Sequence, residues 1–440
     1  MFRGLRCLWY TALVLAFGSA ARGADEPAPG TVLGPDTVQQ AGGLLPEEIA
    51  ARYQKGEFRH EVVTPLPGTQ WTDPAFEAAA SDNRGRYAVD DAGTIVDPAT
   101  GIQPRYIFGP PFPAPDPADP QAGVKLIWNF FYQSYLLGDN HNLIGLTWIA
   151  RQGVDRQVTN EVWQKYYDGQ PPGRPRSDNP NNLLFQQLVE TRWPADLQGT
   201  VALTWRYRDT KRDSMWAYVP AVRRVRAISP TNRSDGFLGS DMSQDDGVYF
   251  DGKPEDFTWR YVGDAEMLCL YDRAAILQGE HDIRPVAGGG WRVVSAPGPR
   301  FAWEAPDAGL VSWAPLPSRT VLVKRTVHIV EAVPKDRYYL HGRLVLRLEK
   351  GTYVGCYNSK FDWKGSLLNT YMPLRGVWFR VGDASWRPYT AAGFTLSQNF
   401  KLDRATASHP DADAPTVPSD SLIPMDSSLF DFQSMVQRGR

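Results

Sequence analysis

Alternation of apolar and polar positions dominates the second half of the chain. In residues 200–209 (TVALTWRYRD) every second side chain is apolar, so the apolar side chains share one face of an extended segment. This period of two is typical of a half-buried antiparallel strand. A polar turn follows at residues 211–213, and residues 214–219 form the next predicted strand, which Pro220 ends or confines to a sheet edge.

The same pattern recurs towards the C-terminus, where turn residues separate further extended segments. Strands are predicted at residues 321–333, 338–350, 352–358 and 367–371. We find no alternation of strands with helices of the kind that builds parallel sheets. The predicted fold class is therefore mainly β (α+β), with one large, curved antiparallel sheet and few helices.

Helical spacing is confined to two segments. Residues 46–53 (PEEIAARY) predict a short helix with proline in its first turn. Residues 122–137 are the stronger candidate, because their apolar side chains follow an i, i+3, i+4, i+7 rule. Those side chains are Val124, Ile127, Trp128, Phe131 and Tyr135.

The N-terminus has the order of a secretory signal peptide. Arg3 and Arg6 precede the apolar run of residues 8–17, and small residues follow it. That run is too short to cross a membrane, which takes about 20 residues. We expect cleavage near Gly23 and export of the mature chain to the periplasm.

Composition divides the remainder into three parts. Residues 24–115 are rich in proline and glycine and predict an extended arm laid on the main domain. Residues 116–405 carry the strand pattern and form the main β domain. Residues 406–440, rich in Ala, Asp, Pro and Ser, predict a C-terminal tail.

Charge and motifs exclude several function classes. The chain carries 47 Lys and Arg against 49 Asp and Glu, which does not favour a nucleic-acid partner. The six histidines are scattered, and no zinc-protease, serine-hydrolase or nucleotide-binding motif occurs. We therefore predict no catalytic residues, no metal site and no cofactor.

An aromatic stripe is the candidate wall of an apolar ligand cavity. The alternative is ordinary sheet core, since alternation alone does not show which face of a sheet lies inside. The candidate cavity residues are Trp205, Tyr207, Trp216, Tyr218 and Val219.

Spaced aspartates follow this stripe, at Asp235, Asp241, Asp245 and Asp246. Calcium binding would need several oxygen ligands, but their spacing is not that of a calcium-binding loop. The favoured interpretation is a polar loop whose aspartates cap turns or pair with nearby arginines. The candidate arginine partners are Arg223, Arg224 and Arg226.

Two cysteines, Cys269 and Cys356, remain after the signal peptide. In an oxidising compartment they could form a disulfide. Two separate buried thiols are the alternative, and the sequence leaves both open.

Several separated blocks resemble, in their order, the exported domain-of-unknown-function family 1329, which is often labelled outer-membrane lipoprotein-sorting and is related to LolA-like carriers. The resemblance implies a half-barrel of curved antiparallel sheet around an apolar cavity that helices partly plug. It also implies that the protein functions together with proton-driven envelope exporters. The blocks are residues 116–129, 193–209, 218–229, 239–246, 251–268 and 437–440.

The expected function is that of a periplasmic carrier or chaperone for a lipid or other hydrophobic small molecule. Its expected partners are that ligand, a proton-driven envelope exporter and outer-membrane proteins, with association at the outer membrane. Two alternatives stay open. One is an envelope hydrolase of a hydrophobic ester, and the other is a non-transporting outer-membrane scaffold with a filled core.

Overall fold

The computed structural model describes residues 26–440, apart from residues 68, 70, 175, 231–232, 248, 278–281, 295–297, 379–388 and 411–418. The predicted signal peptide, residues 1–23, lies outside the described residues. Two small two-stranded sheets precede the main sheet. They pair β1 (Val32–Leu33) with β2 (His60–Glu61) and β3 (Ala88–Val89) with β4 (Ile95–Val96).

One sheet of 16 strands forms the body of the described chain. Its first half comprises β5 (Asn140–Ala150), β6 (Gly153–Tyr166), β7 (Leu183–Trp193), β8 (Val201–Tyr207), β9 (Ser214–Val219) and β10 (Arg224–Ile228). Its second half comprises β11 (Phe257–Asp272), β12 (Asp282–Pro285), β13 (Trp291–Val294), β14 (Thr320–Pro334), β15 (Arg343–Glu349), β16 (Gly355–Phe361), β17 (Leu367–Trp378), β18 (Tyr389–Asn399), β19 (Arg404–Pro410) and β20 (Ser419–Ser421).

Hydrogen-bonded neighbours run from the edge strand β10 through β9, β8, β7, β6, β5, β19 and β18 to β17. Beyond β17 the sheet continues through β16, β15, β14 and β11, and β11 returns to β17 through the parallel pair Tyr271 and Arg375. These five strands, here called the ring strands, close on themselves, which requires strong curvature. The other strand pairs are antiparallel, so the predicted fold class is confirmed.

The described chain contains five α-helices. They are α1 (Glu47–Gln54), α2 (Pro74–Asn83), α3 (Ala122–Ser134), α4 (Arg273–Leu277) and α5 (Phe432–Arg438). Helix α3 is the predicted long helix and is apolar almost all round, as a helix buried on every side must be. It lies so close to β11 that a Cβ at Gly123 would meet the Arg260 backbone at 3.0 Å.

Residues 24–115, predicted as an extended arm, contribute to the core. Leu33, Ile49 and Phe58 are 0 % exposed and pack with residues of the ring strands. Helix α2 was not predicted, although its cap is visible in the residue types: the Asp73 carboxylate accepts hydrogen bonds from two helix N–H groups, and Pro74 follows at the first position. The boundary at residue 115 remains a prediction.

Within residues 406–440, predicted as a tail, β19 and β20 lie in the sheet and α5 packs on its outer face. Phe430 and Met435 are 1 % and 0 % exposed and contact Leu188 and Leu203 of β7 and β8. These contacts could not be predicted from the polar composition of the segment, because a short helix can pack on a sheet through only a few apolar side chains. We call residues 422–440 the C-terminal segment.

A disulfide joins Cys269 of β11 to Cys356 of β16, with their Cα atoms 5.6 Å apart. These two ring strands are not hydrogen-bonded neighbours, so the bond crosses the ring. The structure thereby decides between the two interpretations of the cysteine pair in favour of the disulfide.

Candidate ligand-binding cavity

A cavity of about 340 Å³ lies between the end of α3 and the inner face of the sheet. Strands β5, β6 and β7 form one part of the wall, and β17, β18 and β19 form another. Gly247, Tyr249 and Asp251, in the loop before β11, line a further part of it. Its apolar lining residues include Phe130, Leu137, Ile144, Val162, Val189, Tyr249 and Phe394.

Cross-strand register organises the first wall into rows. Asn142, Val162 and Val189 lie side by side on β5, β6 and β7. The neighbouring row is polar and continues onto β20, in the order Ser421, Asn140, Gln164 and Gln187. All of these side chains line the cavity, and so does Ser419 of β20, next to Asn142. The wall is therefore amphipathic: the first row is apolar at Val162 and Val189, and the second row carries hydroxyl and amide groups.

Three aspartates of the predicted polar loop hold the cavity loop in place. Asp241 accepts from Arg404 Nε at 3.1 Å, and Asp245 accepts from Arg233 Nε at 2.5 Å. Asp246 pairs with Lys360 of β16. Ion pairs therefore hold the loop to β19, to β16 and to Arg233 at its start. Tyr249 and Asp251 of the cavity wall follow directly in the sequence.

The partners of these aspartates differ from those expected. Arg223, Arg224 and Arg226 are exposed on or beside the edge strand β10, and no ion pair joins them to another described residue. Asp235 is likewise exposed and unpaired in the described part of the chain. The pairing prediction was wrong because sheet pairing with β9 places these arginines at an edge of the sheet, away from the loop.

A buried ion cluster underlies the same loop. Arg206 Nη2 lies 3.0 Å from Asp213, Arg206 Nη1 lies 2.9 Å from Asp251, and Arg233 contacts both carboxylates. Burial raises the pKa of Asp213, but the two arginines outweigh burial and hold that pKa below its usual value. For Asp251, burial prevails over the same arginines and raises the pKa.

The sequence did not indicate this cluster, because Arg206 and Arg208 occupy the polar positions of an alternating strand and alternation does not show whether that face is buried. That side faces inward. Arg208 donates to Asp168 at 2.8 Å, and Tyr132 of α3 donates to the same carboxylate at 2.8 Å. Burial raises the pKa of Asp168, although Arg208 lowers it. These contacts fix α3 against β8 at one end of the cavity.

A second buried ion cluster lies at β17, where the ring closes. Arg375 of β17 donates from Nη1 to Glu349 at 2.6 Å, and Tyr271 and Arg325 donate to the same carboxylate at 2.6 and 3.1 Å. Burial alone lowers the pKa of Arg375, but Glu349 outweighs burial and raises it. Arg375 is 1 % exposed and lines the cavity.

None of the five predicted cavity residues is among the residues that line the cavity. Trp205 donates from Nε1 to the Phe430 carbonyl at 3.2 Å, and the Trp216 ring lies 5.1 Å from Phe432. Tyr218 belongs to the same outer cluster, beneath the C-terminal segment.

The remaining two candidates lie elsewhere: Tyr207 shares a hydrogen bond with Ser214 at 3.0 Å, and Val219 is 38 % exposed at the end of β9. Alternation correctly predicted that Trp205, Trp216 and Tyr218 share one face of the sheet. It did not show that this face is the outer one, away from the cavity.

Among the described residues, no group of three or more His, Cys, Asp and Glu side chains is arranged to hold a metal ion. No helix in that part of the chain is long and apolar enough to cross a membrane.

The fold and the site define a class of protein: a strongly curved antiparallel sheet that encloses an amphipathic cavity beneath a buried helix. A family model described as "Protein of unknown function (DUF1329)" matches residues 36–300. The chain therefore belongs to this family, and the resemblance drawn from its sequence blocks is confirmed. No curated protein matches the chain.

Solved structures with similar folds include the following three. An outer membrane lipoprotein-sorting protein domain from Vibrio parahaemolyticus and a DUF1329 family protein from Desulfovibrio piger each have 16 % identity, a TM-score of 0.46 and coverage of 72 % of this chain and 100 % of theirs. A LolA superfamily protein from Nitrosomonas europaea has 9 % identity, a TM-score of 0.39 and coverage of 69 % and 96 %.

Proposed function

We propose that this chain is a periplasmic carrier or chaperone that binds a lipid or other hydrophobic molecule. The observation that carries the proposal is the cavity of about 340 Å³ enclosed between α3 and the inner face of the sheet. Its volume falls in the range of small-molecule sites, roughly 300–1,000 Å³. The protein would deliver its ligand within an envelope transport system, alongside a proton-driven exporter and outer-membrane proteins.

Burial of apolar surface supplies the binding energy in this account. Each Å² of ligand surface removed from water contributes about 25 cal/mol. The apolar side chains of Val162 and Val189, with Phe130 and Phe394 opposite, provide the surface against which a ligand chain packs. The adjacent polar row offers hydrogen bonds that orient the ligand.

The two alternatives have less support. A hydrolase needs a reachable nucleophile paired with a base, but the hydroxyl that lies 2.9 Å from Nε2 of the cavity residue His409 belongs to Thr147, which is 0 % exposed. A non-transporting scaffold predicts a filled core, and the enclosed cavity argues against that.

Filling the cavity tests the proposal. Val162→Trp places an indole in the apolar row, whereas Val154→Trp makes the same change on the same strand at a position that is 41 % exposed. Titration with the neutral fluorescent probe N-phenyl-1-naphthylamine should give saturable binding to the wild type and to Val154→Trp. Val162→Trp should bind the probe at least about tenfold more weakly. The indole would displace an area of probe surface similar to that of one buried apolar side chain.

Equal probe affinity in all three proteins would place binding outside the cavity. Absence of binding to a folded wild-type protein would contradict the carrier function itself.

A further inference from the structure

Arg375 presents two buried hydrogen-bond donors without acceptors. Its Nη1 donates to Glu349, but Nε and Nη2 have no hydrogen-bond partner among the described residues. A guanidinium group only donates hydrogen bonds and stays charged at any pH the protein meets. Buried donors are nearly always satisfied, so two neighbouring exceptions on a residue of the cavity wall indicate a missing acceptor.

The two free donors lie on the same edge of the guanidinium group. That edge matches the spacing of two oxygens in a carboxylate or phosphate, which it binds through two parallel hydrogen bonds. The chain uses this geometry elsewhere: Arg292 donates from Nε and Nη2 to the two carboxylate oxygens of Asp420 at 2.7 and 2.9 Å. The corresponding edge of Arg375 has no such carboxylate among the described residues.

Local charge favours an anion at the same place. The Glu349 carboxylate is shared between Arg375 and Arg325, so two cations meet one anion. Asp251 also lines the cavity, but Arg206 and Arg233 already engage it. Among the residues that the structure describes, Arg325 and Arg375 therefore share one carboxylate, and one of their two positive charges is not balanced by a second one.

We propose that the ligand is a single-chain amphiphile with an oxyanion head group, and that Nε and Nη2 of Arg375 bind two oxygens of that head. This proposal rests on the carrier function and names its ligand class. A volume of about 340 Å³ suits one chain and a small head rather than a lipid with several chains, since it lies near the lower end of the usual range for ligand cavities.

Paired probes that differ only in charge test the head-group site. At pH 8, cis-parinaric acid carries a carboxylate and its methyl ester does not, while both have the same fluorescent chain. The wild type should bind the acid at least about tenfold more tightly than the ester, as expected for a pair of charge-assisted hydrogen bonds. Arg375→Met should remove this preference, and Arg375→Lys should restore only part of it, because lysine has no bidentate edge.

Arg226→Met is the matched control, since it removes the same charge at an exposed position on β10 and should keep the full preference. Equal affinity of the wild type for acid and ester would overturn the oxyanion site while leaving the carrier function intact. If neither probe binds, the carrier function fails and this proposal fails with it. If Arg375→Met does not fold, the comparison of acid and ester on the wild type still decides.

Competition distinguishes the two sources of the oxyanion. Dodecanoate and dodecyl phosphate are each titrated against bound cis-parinaric acid, with dodecanol as the uncharged competitor. Preferential displacement by one of the two anions identifies the natural head as carboxylate or phosphate. Displacement by dodecanol as effective as by either anion would contradict an oxyanion site.

Discussion

Removing the disulfide between Cys269 and Cys356 should destabilise the protein by a calculable amount. The bond closes a segment with a sequence separation of 87 residues, and both cysteines are at most 1 % exposed. Chain entropy in the unfolded state gives a stabilisation of about 4.5 kcal/mol for a loop of that length. With an unfolding entropy near 2.1 cal/mol/K per residue over residues 24–440, the predicted mature chain, this corresponds to a fall in Tm of about 5 °C.

Differential scanning calorimetry of the wild type and of Cys269→Ser/Cys356→Ser measures this shift. The reductant TCEP provides the internal control: it should lower the Tm of the wild type towards that of the double variant and leave the variant unchanged. Each single variant should resemble the double variant, because either one removes the bond.

Two results would refute the reasoning. The first is a Tm of the double variant equal to that of the oxidised wild type, which would mean that the cross-ring bond does not constrain the unfolded chain. The second is the reaction of two thiols with Ellman's reagent in wild-type protein that was denatured without reductant.

Three further predictions concern other parts of the molecule. Asp213→Asn leaves Arg206 without its most deeply buried counter-charge and should cost about 3–5 kcal/mol in urea unfolding at pH 7. This deficit should shrink as pH falls through the lowered native pKa of Asp213, and a pH-independent deficit would contradict it. Burial without a hydrogen-bond partner raises the pKa of Glu255 to about 7, so the native state holds a proton that the unfolded chain releases. Wild-type stability should therefore fall between about pH 5 and pH 7, and Glu255→Gln should remove up to about 3 kcal/mol of that fall; identical pH profiles would exclude this. Met435→Ala should weaken the packing of the C-terminal segment on the sheet by about 2–5 kcal/mol of free energy. Carboxypeptidase Y should therefore digest this variant faster than the exposed control Gln433→Ala. Equal rates would show that α5 is not held by this contact.

Much of the sheet could be predicted from the sequence because strands carry a local signal. The segment 214–219 coincides with β9, and the segment 321–333 lies within β14. Helix α3 was predicted from its apolar spacing for the same reason. Which strands become neighbours depends on contacts far apart in the sequence, so the return of β11 to β17 that closes the ring could not be predicted.

The cavity was the hardest feature to predict. Trp205 and Trp216 share a face as expected, but a sheet has two faces, and only the position of the C-terminal segment decides that theirs is the outer one. The burial of Arg206 could not be predicted either, because its partners Asp213 and Asp251 are brought to it by loops. The lining residues Val162 and Val189 carry no distinctive sequence signal, because apolar side chains at alternate positions occur on both faces of this sheet.

The central claim is that the cavity holds a hydrophobic ligand, and native mass spectrometry of protein purified gently from the periplasm tests it most directly. We expect a stoichiometric bound molecule in the wild type and in Val154→Trp, recovered by solvent extraction as a hydrophobic compound, and its loss from Val162→Trp. A wild-type protein that is folded, empty and indistinguishable from Val162→Trp in its mass spectrum would contradict the account.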